Sequence, residues 1–349
     1  MGLEDNNARG ERARMMEKHT EQASREDVDV SIIVVSWNTK KLLRECLRSV
    51  WEATHAVTFE VMVVDNGSRD GSAEMVMDEF PLVNLFQTGS NLGFAKATNI
   101  GIRKSSGRYV CLVNSDVVVR EGCIDKMYLY LEQHGSAGML APRILNPDLT
   151  LQRSCRGTLS LWNSLCRALA LDTVFPRSRS FGGLLMNYWP HDRTRSVDAI
   201  LGCFWMIRRK ALDEVGLLDE RFFMYAEDMD WCQRCRMAGW EVVYFADAEV
   251  VHHGGASALS APIRFYVEAN RSSFVYWRKY HGKLWVACIY SVILLGELMR
   301  IVRASILSLL KPSERDKARF KLERSLSCVV WLTRSHKPVC NRKASQEDV

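Results

Sequence analysis

The sequence predicts an α/β fold in which a mostly parallel sheet is flanked by helices. Three apolar segments rich in β-branched residues, 30–37, 59–64 and 109–113, alternate with segments whose apolar residues have helical spacing. Continuous apolar runs are typical of strands buried on both faces, and their alternation with helices is typical of a doubly wound sheet. Sheets of this class bind ligands beyond the carboxyl ends of their strands.

The chain divides into three predicted regions: a flexible N-terminal arm over 1–29, an α/β domain over 30–257 and a helical, basic region over 258–349. Within the domain, residues 143–197 lack a regular pattern. The further elements are predicted in this order: helices at 40–51 and 72–80, a weak strand at 83–87, a helix at 93–104, a segment of regular pattern at 199–208, a helix from 210, a strand at 241–245 and helices after 257.

The net charge of +6 is unevenly distributed. Residues 271–349 contain 16 Lys and Arg against 6 Asp and Glu, a balance of +10, so the rest of the chain carries −4. Such a segment contacts anionic lipid or nucleic acid, or forms a solvated helical face.

Residues 284–310 are apolar but are interrupted by Glu297, Arg300 and Arg303. A spanning helix needs about 20 uninterrupted apolar residues. The pattern therefore favours an amphipathic helix at a bilayer surface over a span, with a helix packed against protein as an equal alternative.

The eleven cysteines have no disulfide-framework spacing, and no apolar run follows the charged N-terminus. We therefore expect a cytoplasmic protein with reduced thiols. Cys232 and Cys235 have redox or zinc spacing, but without a second such pair they are interpreted as packing residues on a helix.

Polar residues follow the predicted strands: Asn38, Asp65 and Asn114. A carboxylate in the position of Asp65 can accept a hydrogen bond from the N–H of a pyrimidine base, and Gly67 permits a tight turn after it. Many α/β proteins end a strand with this composition, so the segment is weakly specific.

The segment from Asn91 to Asn99 begins a helix at Gly93. Backbone N–H groups at a helix start favour a diphosphate, and Lys96 adds positive charge. Taken alone, the segment is better explained as an ordinary capped helix.

Asp116 follows a buried strand, where carboxylate oxygen suits Mg²⁺ or Mn²⁺. One carboxylate does not supply enough ligands for a metal ion, so diphosphate oxygens and a histidine are needed as further ligands. The imidazoles of His252 and His253 precede two glycines at another strand end, where they contact a ligand or phosphate or are ordinary surface histidines.

Glu227, Asp228 and Asp230 lie among aromatic residues where a helix begins. The helix dipole keeps such acids ionised, and an ionised carboxylate can remove the proton of an attacking hydroxyl. The alternative is a cluster of helix-capping acids.

In this order, the segments resemble glycosyltransferase family 2, particularly its bacterial rhamnosyltransferase-like members. The matching segments, which span roughly residues 30–257, are VSIIVVSWN, VMVVDNGSRDGS, NLGFAKATNIGI, YVCLVNSDVVV, GCFWMIRRKAL, VGLLDERFFMYAEDMDWCQRCRMAGW and VVHHGGAS. The later segment RFYVEANRSSFVYWRKYHG resembles the helix that follows the family's catalytic domain. The resemblance implies a GT-A fold, a nucleoside-diphosphate sugar donor, a divalent metal and inversion at the anomeric carbon.

For the metal and the base, the resemblance implies that Asp116 is the last acid of the family's DxD motif and that His252 is the C-terminal metal ligand, with His253 as the register alternative. Asp228 matches the general base, and Glu227 orients it or touches the acceptor.

For the donor, the resemblance implies that Asp65 reads the base and that Gly93 and Asn99 line the pocket. The chain departs from the motif at Asn114, which replaces the first acid of DxD, and around Lys96, which leaves the diphosphate contacts undefined.

The predicted enzyme transfers a hexose or deoxyhexose, such as rhamnose, to a polysaccharide precursor or lipid-linked acceptor of a bacterial surface glycan. The C-terminal region places it at the inner face of the cell membrane, and no nucleic-acid partner is expected. A non-catalytic paralogue that binds nucleotide sugar or glycan and a nucleotidyltransferase are the alternatives. The sugar, the linkage and the oligomeric state remain open.

Overall fold

The computed structural model describes residues 28–255 and 261–334. The strands are β1 (Val30–Ser36), β2 (Phe59–Asp65), β3 (Asn84–Gln87), β4 (Tyr109–Asn114), β5 (Val117–Val119), β6 (Ala137–Leu145), β7 (Cys155–Arg156), β8 (Arg195–Ser196), β9 (Ala199–Ile200), β10 (Phe204–Arg208) and β11 (Glu241–His252). The helices are α1 (Lys40–Ala53), α2 (Ser72–Glu79), α3 (Phe94–Lys104), α4 (Cys123–Gln133), α5 (Leu161–Ala168), α6 (Leu171–Val174), α7 (Arg209–Val215), α8 (Glu227–Met237), α9 (Pro262–Tyr280), α10 (Lys283–Leu310) and α11 (Arg315–Arg334).

The large sheet has the order β3-β2-β1-β4-β10-β6-β11-β5, and β8 pairs with β11. Strands β1 to β4 are parallel, β10 runs antiparallel between β4 and β6, and β6 and β11 are again parallel. The predicted α/β class with a mostly parallel sheet flanked by helices is therefore confirmed. The small antiparallel pair β7 and β9 lies apart from it.

Alternating residues of β1 serve two cores. Ile32 and Val34 belong to one apolar cluster together with Leu47 of α1, whereas Ile33 belongs to a second cluster with Ala95 of α3. Because both faces of the strand are covered, its sequence is continuously apolar, as a buried parallel strand requires.

Two predicted segments take a form in the structure that shapes the site. The segment of regular pattern expected over 199–208 consists of β9 and β10 with a turn between them, in which the N–H of Cys203 donates to the carbonyl of Leu201 at 3.0 Å. The strand expected over 241–245 continues as β11 to His252. The turn therefore places Gly202 and Cys203 at the end of the sheet instead of within a strand.

The C-terminal helices pack on the α/β domain through a third apolar cluster, which joins Phe222 to Trp277 of α9, Ile289 of α10 and Cys328 of α11. These helices confirm the helical patterning predicted after residue 257. The predicted arm, apart from residues 28 and 29, and the predicted boundary at 257 lie outside the described residues.

An ionic contact reinforces this packing. The ammonium group of Lys279 on α9 lies 2.8 Å from a carboxylate oxygen of Asp219 and 2.6 Å from one of Asp230, which has no exposed surface. Because a buried carboxylate is stable only when paired, this lysine links α9 to the segment that carries the acidic motif.

Helix α10 is long and apolar enough to cross a membrane by length and composition, and most of its apolar stretch is exposed. Of the polar residues that interrupt it, Glu297 is buried against the protein, where it accepts hydrogen bonds from Tyr266 and Arg300. This orientation differs from that expected for an amphipathic helix at a bilayer surface, whose charged residues face solvent. The reason is that α9 supplies a partner for the carboxylate, which offsets the cost of its burial.

Cys232 and Cys235 are fully buried in the second apolar cluster, which confirms their interpretation as packing residues. Burial raises the pKa of the Cys232 thiol well above its ordinary value, so the thiol stays protonated.

Candidate active site

The strand ends that carry polar residues meet at one edge of the sheet. Register pairs Ser36 with Asp65 and Val35 with Asn114, which sets the three strand ends side by side. Beyond this edge lies a cavity of about 100 Å³, called here the central cleft. Its polar and aromatic lining residues are Trp37, Asn66, Asn91, Phe94, Asn114, Ser115, Asp116, Phe223 and Phe265.

Asp65 is almost fully buried at the end of β2. Its Oδ2 accepts the N–H of Ser68 at 3.1 Å, while its Oδ1 makes no hydrogen bond to the described residues. Asn38 and Gly67 shape this turn from outside the cleft: Asn38 accepts the N–H of Arg69 at 2.8 Å, and a Cβ on Gly67 would lie 2.6 Å from the Cα of Ser90.

The loop before α3 is fixed by two asparagines. The side chain of Asn66 donates to that of Asn91 at 3.1 Å and accepts the N–H of Leu92 at 2.9 Å, and Asn91 accepts the N–H of Gly93 at 3.0 Å. Asn91 and Gly93 were predicted as site residues, and both line the cleft. Asn66 also lines the cleft, although it was not predicted as a site residue from the sequence.

Gly93 brings α3 against the loop of the acidic motif. Its φ is +86°, and a Cβ there would lie 2.5 Å from the carbonyl oxygen of Phe223. The same oxygen accepts the N–H of Phe94 at 2.7 Å. The first N–H of α3 is therefore bonded to protein, so it is not directed at a ligand.

Asn99 and Lys96 are placed away from the central cleft. Asn99 has no exposed surface; its amide donates to the carbonyl of Leu218 at 2.8 Å and to Glu220 at 3.0 Å, and accepts the N–H of Leu218. Lys96 is exposed, and its charge helps to lower the pKa of Glu220, to which Asn99 and Arg103 donate hydrogen bonds. Both residues support the 218–220 segment.

Asp116 and His252 form a contact suited to a divalent ion. His252 Nε2 lies 3.3 Å from Asp116 Oδ1, and both side chains are largely buried. Two ligands at about 2.1 Å from one octahedral ion lie about 3 Å apart, so the separation fits shared coordination. Among the described residues, no three His, Cys, Asp or Glu side chains form a metal cluster, so oxygens of a bound substrate are needed to complete such a site.

Gln152 orients His252 from the other side of the ring. Its Nε2 donates to Asn146 and to the carbonyl of His252, which fixes the amide so that Oε1 faces His252 Nδ1 at 2.6 Å. Nδ1 therefore carries the proton and leaves the Nε2 lone pair directed toward Asp116. His253, the register alternative, donates its backbone N–H to the carbonyl of Asp116 at 3.0 Å.

Glu227 and Asp228 begin α8 after two residues with left-handed backbone. Tyr225 and Ala226 have φ of 69° and 63° although neither is glycine. Such conformations cost about 1 kcal/mol or more each and concentrate at functional sites. The loop is held in place by Ser272 of α9, whose hydroxyl donates to the carbonyl of Met224 at 2.7 Å.

The two carboxyl groups differ in their surroundings. Burial, and next the adjacent Asp228, raise the pKa of Glu227 well above its ordinary value, and its buried Oε2 has no partner among the described residues. Burial also raises the pKa of Asp228, but hydrogen bonds from the N–H groups of Met229 and Gly202 act in the opposite direction. Burial therefore opposes the charged form more strongly at Glu227 than at Asp228.

This result corrects one expectation from the sequence. The helix terminus was expected to keep both Glu227 and Asp228 ionised, whereas the pKa of each carboxyl is raised. Burial accounts for the difference because desolvation opposes charge more strongly than the N-terminal backbone groups favour it.

The turn between β9 and β10 connects the Glu227–Asp228 pair to the strand end that precedes Asp116. Gly202 donates to Asp228 Oδ2 at 3.3 Å, and the neighbouring carbonyl of Cys203 accepts the N–H of Asn114 at 2.9 Å. The charges of Asp116 and Asp228 both act on the thiol of Cys203. The backbone groups of Gly202 and Cys203 therefore hold Asn114 and Asp228 close together, with Asp116 two residues after Asn114.

Arg156 and Gln152 belong to this site but carry no local sequence signal. Both come from the irregular 143–197 segment, and Arg156 lies close enough to Asp228 for each charge to act on the pKa of the other. Buried polar atoms without partners among the described residues also gather here: Asp65 Oδ1, Asn114 Oδ1, Glu227 Oε2 and His252 Nε2. Since buried polar groups are normally bonded, this concentration indicates a site for a polar ligand.

The class of protein follows from the match to a family model. Residues 31–216, more than half of the chain, match the model of glycosyl transferase family 2, so the chain belongs to this family and is a nucleotide-sugar-dependent glycosyltransferase.

Within the family it is similar to the N-acetylglucosaminyl-diphospho-decaprenol L-rhamnosyltransferase of Mycobacterium tuberculosis, with 30% identity over 73% of this chain and 86% of the relative. It is also similar to the low-salt glycan biosynthesis hexosyltransferase Agl10 of Haloferax volcanii, with 25% identity over 64% and 67%.

The fold resembles the mannosyltransferase PcManGT from Pyrobaculum calidifontis, solved in complex with GDP-Man and Mn²⁺. The TM-score is 0.54 at 16% identity, and the match covers 93% of this chain and 94% of that one. The chain therefore has the GT-A fold that the sequence predicted.

Proposed function

We propose that the chain is an inverting glycosyltransferase that moves L-rhamnose from a nucleoside-diphosphate donor to a sugar carried on a lipid diphosphate. The observation that carries the proposal is the joining of Asp228 to the Asp116–His252 contact through residues 202–203. The sugar and the acceptor class are those in the name of the mycobacterial relative.

Asp228 is the general base in this proposal. It takes the proton of the acceptor hydroxyl while that oxygen bonds to the anomeric carbon of the donor and the bond from that carbon to the diphosphate breaks. Attack from the side opposite the diphosphate inverts the anomeric centre. The raised pKa of Asp228 suits this role, since a base is most effective when its pKa approaches the working pH.

The donor would lie in the central cleft. The Oδ1 of Asp65, which has no hydrogen-bond partner among the described residues, would accept the imide N–H of a pyrimidine base, and Asp116 with His252 would hold a divalent ion. Mg²⁺ or Mn²⁺ bound there would neutralise charge on the departing diphosphate. At about 100 Å³ the cleft is smaller than typical ligand sites of about 300 Å³ or more, and we propose that Phe223 or Phe265, which line it, moves when the donor binds.

The lipid-linked acceptor is supported by the exposed apolar face of α10 and by the +10 charge balance of residues 271–349. A helix that presents apolar side chains beside basic ones binds the surface of an anionic bilayer. We accordingly propose a peripheral position on the cytoplasmic face of the membrane.

The test is a panel of nucleotide sugars with a short-chain lipid-diphosphate acceptor, with products read by mass spectrometry and the anomeric configuration by NMR. The product should have the anomeric configuration opposite to that of its donor, and dTDP-rhamnose should be the preferred donor. A retained configuration, or release of pyrophosphate, would refute the proposal.

The base is tested with Asp228→Asn, which keeps the shape of the side chain but cannot take a proton at neutral pH. Transfer should fall by about 10³-fold or more while the donor dissociation constant stays within about threefold of wild type. Asp213→Asn, on the surface helix α7, is the matched control and should be fully active. Wild-type activity in Asp228→Asn would remove the base assignment.

A further inference from the structure

A second and larger cavity lies in the irregular segment and shares no lining residue with the central cleft. Its volume is about 590 Å³. We call it the arginine pocket, and the lining residues that matter here are Ser160, Trp162, Arg179, Arg195, Asp198 and Arg236.

The arginine pocket has an excess of positive charge. Arg236 is paired with Asp198 at 3.2 Å. Arg179 and Arg195 lie over the rings of Tyr188 and Trp189, and within the described ranges neither guanidinium is paired with a carboxylate. Three arginines and one aspartate leave a charge of +2. Arginine forks bind phosphate oxygens in a bidentate manner, so the pocket matches a group with two negative charges such as a diphosphate diester.

The pocket lies at a fixed and short distance from the base. Arg236 and Asp228 are eight residues apart on α8, which corresponds to about 12 Å along the helix axis. Asp198 precedes Gly202, which donates to Asp228, by four residues, and Gly157 of the pocket follows Arg156 directly. The pocket is therefore linked to the base by α8 and by the chain segments 156–157 and 198–202.

The rim of the pocket is aromatic and exposed. Trp162 is 50% exposed, and its indole N–H donates to the carbonyl of Ser180 at 2.8 Å. Phe181 contacts both Trp162 and Phe175, and Phe175 is 48% exposed. Exposed aromatic residues with one polar atom satisfied are typical of side chains at a membrane interface.

Helix α5 connects this rim to the apolar helix. Trp162 lies on α5, and at the other end of α5 Ala168 packs against Gly296 of α10, where an added Cβ would lie 3.1 Å from that of Ala168. The exposed apolar side chains of α10 are Leu284, Trp285, Leu295, Leu298, Met299, Val302, Ile306, Leu309 and Leu310. The charged pocket therefore adjoins an apolar surface.

We propose that the arginine pocket binds the diphosphate of the lipid-linked acceptor, with the acceptor sugar reaching Asp228 and the lipid chain leaving past Trp162 toward α10. This inference rests on the proposed function, because it names the subsite that holds the acceptor. In this proposal Arg179 and Arg195 bind the diphosphate, while the ion pair of Arg236 and Asp198 forms part of the pocket wall.

The test measures binding of geranyl diphosphate, in EDTA so that no divalent ion supports binding at the donor site. The double variant Arg179→Gln/Arg195→Gln should raise the dissociation constant by about tenfold or more. The matched control Arg177→Gln/Arg193→Gln changes the same charge in the same segment outside the pocket, and should bind as wild type does. Asp116→Ala, which alters only the donor side, should also leave the constant unchanged.

Three results would overturn the proposal: equal affinity of the wild type and the pocket variant, equal loss in the Arg177/Arg193 control, or loss in Asp116→Ala alone. Inorganic pyrophosphate separates the two sources of diphosphate. It should bind at least about tenfold more weakly than geranyl diphosphate, and equal affinities would reject the lipid part. Because the readout needs no sugar transfer, failure of the proposed function leaves this result interpretable, and the reverse also holds.

Discussion

The Nε2 atom of His252 lies 3.3 Å from Oδ1 of Asp116, while Nδ1 of the same ring lies 2.6 Å from Oε1 of Gln152. One side of the imidazole thus faces a carboxylate and the other a fixed acceptor. This arrangement sets the tautomer that a metal ligand requires.

We expect Gln152→Leu to weaken Mn²⁺ binding by about 10-fold to 100-fold, because the ring loses the acceptor that fixes its tautomer and orientation. Calorimetric titration of the metal in the presence of nucleoside diphosphate measures the effect. Arg153→Gln is the control, since it changes an exposed residue next to Gln152 and leaves the contacts of Gln152 with Asn146 and His252 in place. Unchanged affinity in Gln152→Leu would show that the ring needs no such support.

Arg156→Gln should shift the acidic limb of the pH profile of kcat/KM toward higher pH. The charge of Arg156 favours the ionised form of Asp228 and so lowers its pKa; without that charge the pKa rises, and the base becomes protonated at a higher pH. The rate on the plateau above the limb should change less. Arg153→Gln, three residues away, should leave the limb in place, and an equal shift in both variants would contradict the pairing.

Lys279→Met should lower the free energy of unfolding by about 2 kcal/mol or more, because it removes the cation shared by Asp219 and the fully buried Asp230. Chemical denaturation at neutral pH measures the change. Lys283→Met removes an exposed lysine at the start of α10 and should cost little. Similar losses of unfolding free energy in the two variants would mean that the ion pairs of Lys279 do not stabilise the protein.

Acid should destabilise the protein partly through Asp219. Hydrogen bonds from Arg221 and next from Lys279 hold the pKa of Asp219 well below its ordinary value. A carboxyl whose pKa is lowered on folding contributes stability above its unfolded pKa of about 3.9, and that contribution is lost as the pH falls below it. The decline in the melting temperature below about pH 4 should therefore be shallower in Asp219→Asn than in the wild type, as measured by calorimetry.

Leu298→Glu/Val302→Glu should reduce flotation with vesicles of anionic phospholipid by about tenfold, since it places charge on the exposed apolar face of α10. Point variants suit this test better than truncation before α10, because Ile289 and Cys328 belong to the core shared with α9. Met77→Glu/Leu129→Glu changes two equally exposed apolar side chains on α2 and α4 and should float normally. Loss of flotation in both pairs would point to a general effect of charge.

The sequence predicted those site residues that follow a buried strand or begin a helix, because such positions have local signals. Asp65 and Asn114 end strands, and Asp228 begins a helix, as expected. Gln152 and Arg156 could not be found in this way. They reach the site from an irregular segment, and Gln152 meets His252 across a separation of 100 residues.

Other differences arise from contacts that only the tertiary structure creates. The amide of Asn99 is hydrogen-bonded to Leu218 and Glu220, which lie more than a hundred positions away in the sequence. The residues around Asn99 therefore give no sign that its side chain lies away from the cleft. The direction of Glu297 likewise depends on Tyr266 from another helix. Helical spacing identifies which residues share a side, but the partner helix decides which side is buried.

The hydrogen bond from the N–H of Phe94 to the carbonyl of Phe223 has a kinetic consequence. It ties the start of α3, beside the proposed donor site, to the loop that leads into Glu227 and Asp228. Because of this bond, a displacement of α3 would also move the loop that leads into Glu227 and Asp228. The two substrates should consequently follow a compulsory order, with the nucleotide sugar entering first and the nucleoside diphosphate leaving last.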